Sequence, residues 1–174
     1  MLDYGCGTGQ VTMAFQHCHY FDIAEDSRSR LKKSGRTVYG TIDEIPRGRF
    51  DWILSSHALE HSPRPLEDLL RFGDYAKSDG HLLLIRPIET RLRRALQPDG
   101  DNHLYCWTFQ TISNLLREAG WKPLFQDHIY DSFGLGALSR ILGNQAAVQW
   151  SWRLGRLRGG FKSMFIVAAK QGPS

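Results

Sequence analysis

Two stretches of the chain hold residues whose types and spacing could do chemistry. In Leu2-Asp3-Tyr4-Gly5-Cys6-Gly7-Thr8-Gly9 an acid is followed by three alternating glycines. Glycine has no Cβ and accepts positive φ, so such a loop lets backbone N–H groups approach a ligand closely. Val11, Ala14, Phe15 and Cys18 follow at i, i+3, i+4 and i+7, the stripe of a short helix whose positive end would face the same ligand. Asp22 closes the run His19-Tyr20-Phe21 about 20 residues on, the spacing at which a doubly wound fold grips a ribose. The second stretch, His57-Ala58-Leu59-Glu60-His61, matches H-x-x-E-H, a pattern that places two zinc ligands beside a glutamate base. Its setting opposes that use. It begins directly after an apolar run, and Pro63 and Pro65 prevent a long helix through it, so no metal site is expected.

The elements that must position these residues alternate between strands and helices. Strands are expected to end at Tyr4, to span His19 to Ile23, Arg36 to Gly40 and Phe50 to Ser56, and, after an Asp79-Gly80 turn, His81 to Ile85. Trp121 to Ile129 and Phe161 to Lys170 complete the set. Glu25 to Lys33 reads as a polar surface helix. Leu66, Leu69, Leu70 and Tyr75 read as the apolar face of the next one. Thr108 is the expected N-cap of a third, with Ile112, Leu115, Leu116 and Ala119 inward and Gly120 as its stop. Residues 86–102 form a long polar segment holding Arg91, Arg93 and Arg94. Residues 133–160 read as one or two amphipathic helices with Trp150, Trp152, Arg153, Arg156 and Arg158.

The first motif resembles motif I of the class I S-adenosylmethionine-dependent methyltransferases. Phe21-Asp22-Ile23 resembles their ribose-binding segment. Phe50 to His61 resembles the fourth strand and "LEH" stretch of the small-molecule branch, which includes ubiquinone-biosynthesis O-methyltransferases, and Ser78 to Ile85 resembles the following turn and strand. The resemblance runs in order from residue 1 to about residue 125. It implies an α/β, Rossmann-like doubly wound sheet of seven strands in the order 3-2-1-4-5-7-6, mainly parallel with an antiparallel last strand. The whole of 1–174 would be one domain, with 133–160 a variable amphipathic insert.

The resemblance further implies S-adenosyl-L-methionine as cofactor. Gly5, Cys6, Gly7 and Gly9 would line its methionine part, and Asp3 would lie near its amino group. Asp22 would accept from both ribose hydroxyls, with Ile23 beside it. Thr41, or Asp43, and Ile42 would meet the adenine, and Ser55 and Ser56 would sit at the strand end beside the cofactor. Methyl transfer mainly requires alignment, worth roughly 7–11 kcal/mol. A general base adds about 10²–10⁴-fold for a hydroxyl acceptor. His61 is the first candidate base and His57 the second, because imidazole titrates near working pH. His103 resembles a histidine that faces the substrate. Packing or capping the turn stands as the alternative for His61 and His57. The family usually places one or two helices before the first strand, so a preceding segment or a neighbouring subunit, as in a homodimer, is expected to complete the cofactor's cover.

At 174 residues and 41% hydrophobic, the chain has enough apolar side chain for one sizeable core. No signal peptide, run of about 18 apolar residues, or paired cysteine spacing is seen among Cys6, Cys18 and Cys106, so the cytoplasm is the expected location. Cys106, beside Trp107, reads as a core residue. The net charge of +4 is too modest for a strong duplex footprint. Neither an Asn/Asp-Pro-Pro-aromatic stretch nor a Pro-Cys nucleophile follows the fourth strand. A small-molecule acceptor, carrying phosphate or carboxylate if the arginines converge on it, is therefore preferred. A nucleic-acid methyltransferase and a non-catalytic binder of the cofactor are the alternatives, and the Trp–Arg mixture of 133–160 also suits a membrane surface.

Overall fold

The computed structural model describes residues 1–88, 100, 102–130 and 143–172. Seven strands form one sheet: β1 (Leu2–Tyr4), β2 (His19–Phe21), β3 (Thr37–Val38), β4 (Phe50–Ser56), β5 (Ala76–Pro87), β6 (Trp121–Tyr130) and β7 (Phe161–Lys170). Their order is β3-β2-β1-β4-β5-β7-β6. The pairings from β3 through β5 are parallel, and β7 runs antiparallel to both β5 and β6. The expected topology is the observed one.

The helices are α1 (Glu25–Lys33), α2 (Pro65–Tyr75), α3 (Phe109–Glu118) and α4 (Asn144–Arg158), with 3₁₀ turns at Ile42–Glu44 and Leu59–His61. α1 buries only Leu31, as its polar sequence requires. α3 begins where Thr108 accepts from the Thr111 N–H while Thr111 returns the bond, and Gly120 ends it at φ +78°. This cap satisfies donors that the first turn of a helix leaves unpaired. One core joins Leu2, Phe21 and Ile53 to Leu69 and Phe72 of α2 and to Ile112 and Leu116 of α3. Each such side chain contributes about 1.5–3 kcal/mol on burial. Trp121, fully buried in β6, donates its indole N–H to the Leu69 carbonyl at 3.0 Å and ties α2 to the far edge of the sheet.

Several elements differ from the sequence reading, for local reasons. No helix follows the glycine loop. Residues 10–14 form turns, Val11, Met13 and Phe15 stay more than half exposed, and Thr12 is the residue buried. The buried Asp3 carboxylate draws the Thr12 hydroxyl inward at 2.6 Å, and that bond outweighs an apolar stripe with nothing to pack on. β3 has two residues rather than five. In β4, Trp52 is 39% exposed, so the run is not covered throughout. Asp79-Gly80 does not start β5. The strand begins at Ala76, and the pairing jumps from Phe50↔Ala76 to Trp52↔His81, so the turn survives as an irregularity inside the strand. On α2 the buried stripe is Leu69, Phe72 and Tyr75, and Leu70 lies outside it.

Of residues 133–160, 133–142 lie outside the described residues. α4 buries the small side chains Ala147, Ser151 and Gly155 and turns Trp150 and Trp152 outward. Arg153 and Arg156 stack on those indoles at 5.3 and 5.5 Å. Among the described residues no helix is long and apolar enough to cross a membrane.

Candidate active site

The glycine loop is built by three residues with three different jobs. Gly5, Gly7 and Gly9 have φ of +73°, +51° and +72°, a region that side chains rarely enter. A Cβ on Gly5 would stand 2.3 Å from the Ala58 Cβ, and one on Gly9 would meet Leu31 at 2.8 Å. A Cβ on Gly7 would meet nothing within 4 Å. Gly5 thus lets the loop touch the turn after β4, Gly9 seats it on α1, and Gly7 faces open space. The amides of Gly5 and Cys6 both donate to the Phe21 carbonyl, at 2.8 and 3.2 Å, fixing the loop to the end of β2.

Asp22 follows directly. Its Oδ2 accepts from the Gly7 N–H at 2.7 Å and its Oδ1 from the Ala24 N–H at 2.8 Å. Each oxygen keeps a further lone pair for a ligand. Asp22 is thereby a structural clamp between loop and α1 as well as a candidate ribose acceptor, a role the sequence reading missed.

Asp3 sits near the strand end with its side chain turned inward. It is 1% exposed and lies outside the cavity wall. One oxygen is held by Thr12 and the other has no partner. Burial pushes its carboxyl up to about 6, the Thr12 bond opposes the rise, and Asp22 adds to it. Cys6 is half-buried, and burial first, then Asp3 and Asp22, push its thiol up to about 12, which leaves no thiolate for nucleophilic work.

A cavity of about 570 Å³ opens at the carboxyl edge of β1, β2 and β4. Gly5, Gly7, Asp22, Ile23 and Ile42 line it together with His57, Ala58 and His61. Arg64, the N-cap of α2, and Arg71 on that helix also line the cavity, Arg64 pairing with Glu67 and Arg71 with Glu67 and Asp68. Ile23, 85% exposed, offers an apolar face at the rim. Of the residues expected at the site, Gly5, Gly7, Asp22, Ile23, Ile42, His57 and His61 therefore meet on one cavity. Cys6, Gly9, Thr41, Ser55, Ser56 and His103 do not line it. Thr41 is exposed at the start of a 3₁₀ turn, and Ser55 points into the protein. Arg91, Arg93 and Arg94 lie outside the described residues. Cys106, expected in the core, is exposed.

Behind the histidines sits a network that the sequence reading did not find. Arg86 heads a polar segment in the sequence, yet it continues the inward alternation of Leu82 and Leu84 on β5 and is fully buried. Its Nη1 donates to Glu60 Oε2 at 3.2 Å and its Nη2 to Ser55 Oγ at 3.1 Å. Burial pushes the guanidinium down to about 10, with Glu60 opposing, so it stays charged. Burial also pushes Glu60 up, but the hydrogen bond from His57 and the charge of Arg86 outweigh it and hold the carboxyl below its ordinary value. Glu60 Oε1 lies 3.5 Å from His57 Nδ1, and His57 Nε2 lies 3.3 Å from Ser163 Oγ on β7. His57 itself has φ +50°, a strained conformation of the kind that gathers at functional sites. Its neighbour His61 stands 5.0 Å, ring to ring, from His103, and its Nδ1 is 3.4 Å from the Asn102 carbonyl. Ligand atoms of Glu60, His61 and His103 all lie within 4.8 Å of one another. Arg86 already neutralises that carboxylate, which disfavours a cation there.

A seven-stranded sheet of this order, with a glycine loop after β1 and an acid at the tip of β2, defines a doubly wound domain of the class I methyltransferase type. The chain belongs to the methyltransferase domain family, whose sequence profile matches residues 1–126. S-adenosyl-L-methionine is the methyl donor that this membership brings. The open space at Gly7, the spare lone pairs of Asp22 and the exposed face of Ile23 fit such a molecule.

The fold matches a SAM-dependent methyltransferase from Archaeoglobus fulgidus at TM-score 0.68 and 19% identity, covering 97% of this chain and 85% of that one. It matches a chain of the complex between the Haloferax volcanii Trm112 methyltransferase activator and a methyltransferase at 0.68 and 14%, covering 98% and 81%. The [4+2]-cyclase SpnF matches at 0.64 and 16%, covering 99% and 75%. Comparison with curated protein sequences gives no significant match.

Proposed function

We propose that this domain transfers the methyl group of S-adenosylmethionine to a hydroxyl oxygen of a small molecule. The reading rests on one observation: a single cavity is lined both by the loop with Asp22, Ile23 and Ile42 and by His57 and His61. The first group offers backbone, a carboxylate and apolar faces, which suit a nucleoside bearing an amino acid. The second offers imidazoles, which suit an acceptor that must give up a proton. The sulfonium needs neither acid nor base, so the histidines act on the acceptor. His61, with His103 behind it, orients the acceptor. The small-molecule "LEH" branch is the corresponding family branch.

Calorimetric titration with S-adenosylmethionine, followed by a methyl-release assay over a panel of hydroxylated metabolites, tests the proposal. Binding with release to a hydroxyl acceptor is the expected result, and binding without release to any acceptor would make the protein a binder only. Asp22→Asn removes the charge and turns an NH₂ onto one of the two backbone donors that Asp22 accepts from, so thermal melting accompanies the titration. The substitution should weaken cofactor binding by about 1.5–3 kcal/mol, the value of a charge-assisted hydrogen bond. An unchanged dissociation constant would remove Asp22 from the site.

A further inference from the structure

The charged network behind the cavity wall serves no obvious packing purpose. A fully buried arginine and a fully buried glutamate are costly to desolvate and weak evidence for stability, whereas apolar side chains would fill the same space. The pair is fully inside the protein at Arg86 and Glu60, and its second carboxylate oxygen is directed at an imidazole that is 47% exposed on the cavity side. The imidazole belongs to a residue with left-handed backbone, whose N–H still donates to the Ile85 carbonyl at 2.9 Å. Three elements therefore converge on His57: the turn carrying Glu60, β5 carrying Arg86, and β7 carrying Ser163.

Resting on the proposed methyl transfer, we infer that Glu60 is a positioning residue, clamped by Arg86, that makes His57 the acceptor-side base with Nε2 as the proton-accepting atom. Glu60 Oε1 is buried with no hydrogen-bond partner and stands 3.5 Å from Nδ1, so it draws the ring proton to Nδ1, because a carboxylate can only accept there. Nε2 is then left bare. Ser163 Oγ, 3.3 Å away, shows that a hydroxyl reaches that nitrogen, donating to it in this tautomer, and an acceptor hydroxyl takes its place during the reaction. As the acceptor oxygen bonds to the methyl carbon, the C–S bond breaks with its electron pair going to sulfur. The acceptor's proton passes to Nε2, and His57 later releases it to water. Orienting an imidazole through its far nitrogen is a general way to fix the tautomer of a base. Among the described residues, the charged and polar groups around His57 are Glu60 with Arg86 behind it, Ser163 on β7, and His61 on the same cavity.

The test is the ¹⁵N spectrum of histidine-labelled protein, with the His57 signals identified by their loss in His57→Gln. The parent protein should show His57 protonated at Nδ1 and bare at Nε2, and an Nε2–H tautomer in the parent would overturn the proposal without any variant. In Glu60→Gln the amide oxygen must face Arg86, so its NH₂ faces Nδ1 and drives the proton to Nε2. Turnover should then fall by about 10²–10⁴-fold while cofactor affinity and acceptor KM stay within a few fold. A folded Glu60→Gln protein with parent tautomer and parent turnover would make Glu60 merely structural. Should Arg86, stripped of its counter-charge, unfold that variant, Glu60→Leu combined with Arg86→Met removes both charges. This pair should fold and show mixed tautomers with the same loss of turnover, and a parent-like spectrum and rate would sink the proposal. The spectra need no acceptor. A parent tautomer as expected, with no methyl release to any acceptor, would count against the proposed transfer and not against the orientation of His57.

Discussion

Asp3 shows at the residue scale how burial and hydrogen bonding divide one side chain's properties. Desolvation raises its carboxyl from an ordinary 3.8 to about 6. A raised acid favours the folded state fully only below the unfolded value, and that contribution is lost as pH rises through the folded value. The parent protein should therefore lose stability between about pH 4 and pH 6, relative to Asp3→Asn. The loss should reach at most about 3 kcal/mol, at about 1.4 kcal/mol for each pH unit between the two values. Asparagine keeps an oxygen for the Thr12 hydroxyl, which donates to Asp3 at 2.6 Å. Denaturant unfolding of both proteins across this window checks the expectation, and parallel curves would contradict it. The same burial turns the Asp3 side chain inward to Thr12, so any part it has near the cofactor is indirect.

The glycine loop makes a distinction at the element scale that composition could not. Gly5 and Gly7 look alike in sequence, yet only Gly5 has a neighbour, the Ala58 Cβ, that an added methyl would strike at 2.3 Å. Gly5→Ala should cost several kcal/mol, combining overpacking of about 1–3 kcal/mol with a left-handed side chain of about 1–2 kcal/mol. Gly7→Ala carries only the second cost, because nothing lies within 4 Å of its would-be Cβ. It should remain folded while losing cofactor affinity, since the methyl enters the cavity. Thermal melts paired with calorimetry separate the two. Equal losses of stability would show that the loop is not held against Ala58. α4 teaches the converse lesson. Its tryptophans suggest an inward face, but small Ala147, Ser151 and Gly155 are what let it lie against its neighbours.

For the whole molecule, the sheet order places the tips of β1, β2 and β4 along one edge, and the cavity forms there. A ligand bound only by the folded chain stabilises it by mass action, about 2.7 kcal/mol at a hundred times its dissociation constant. For a domain of this size each kcal/mol moves the melting point by about 2–4 °C. Saturating S-adenosylmethionine should therefore raise Tm by roughly 5–10 °C, and adenosine alone by less. No shift with the full cofactor would contradict the assignment of this cavity.

The seven strands, helices α1 to α3, the capping of α3 and the glycine loop were legible in the sequence, whereas the short helix expected after the loop was not, and the sheet order came from the family resemblance. Each legible feature depends on side-chain periodicity or backbone preference over a few neighbouring residues, and from Phe161 to Lys170 the last strand was legible to the residue. The position of Asp22 at the end of the adjacent strand was legible too, but its bond to the Gly7 N–H was not. Only the tertiary structure decided which chemistry-bearing residues meet. Glu60 and Arg86 are 26 positions apart and His57 and Ser163 are 106 apart, and no local pattern relates them. Arg86 in particular looks like the head of a polar, arginine-rich segment. It becomes a buried clamp because strand alternation carries its side chain to the core face, where the ion pair with Glu60 offsets the cost of taking its charge out of water.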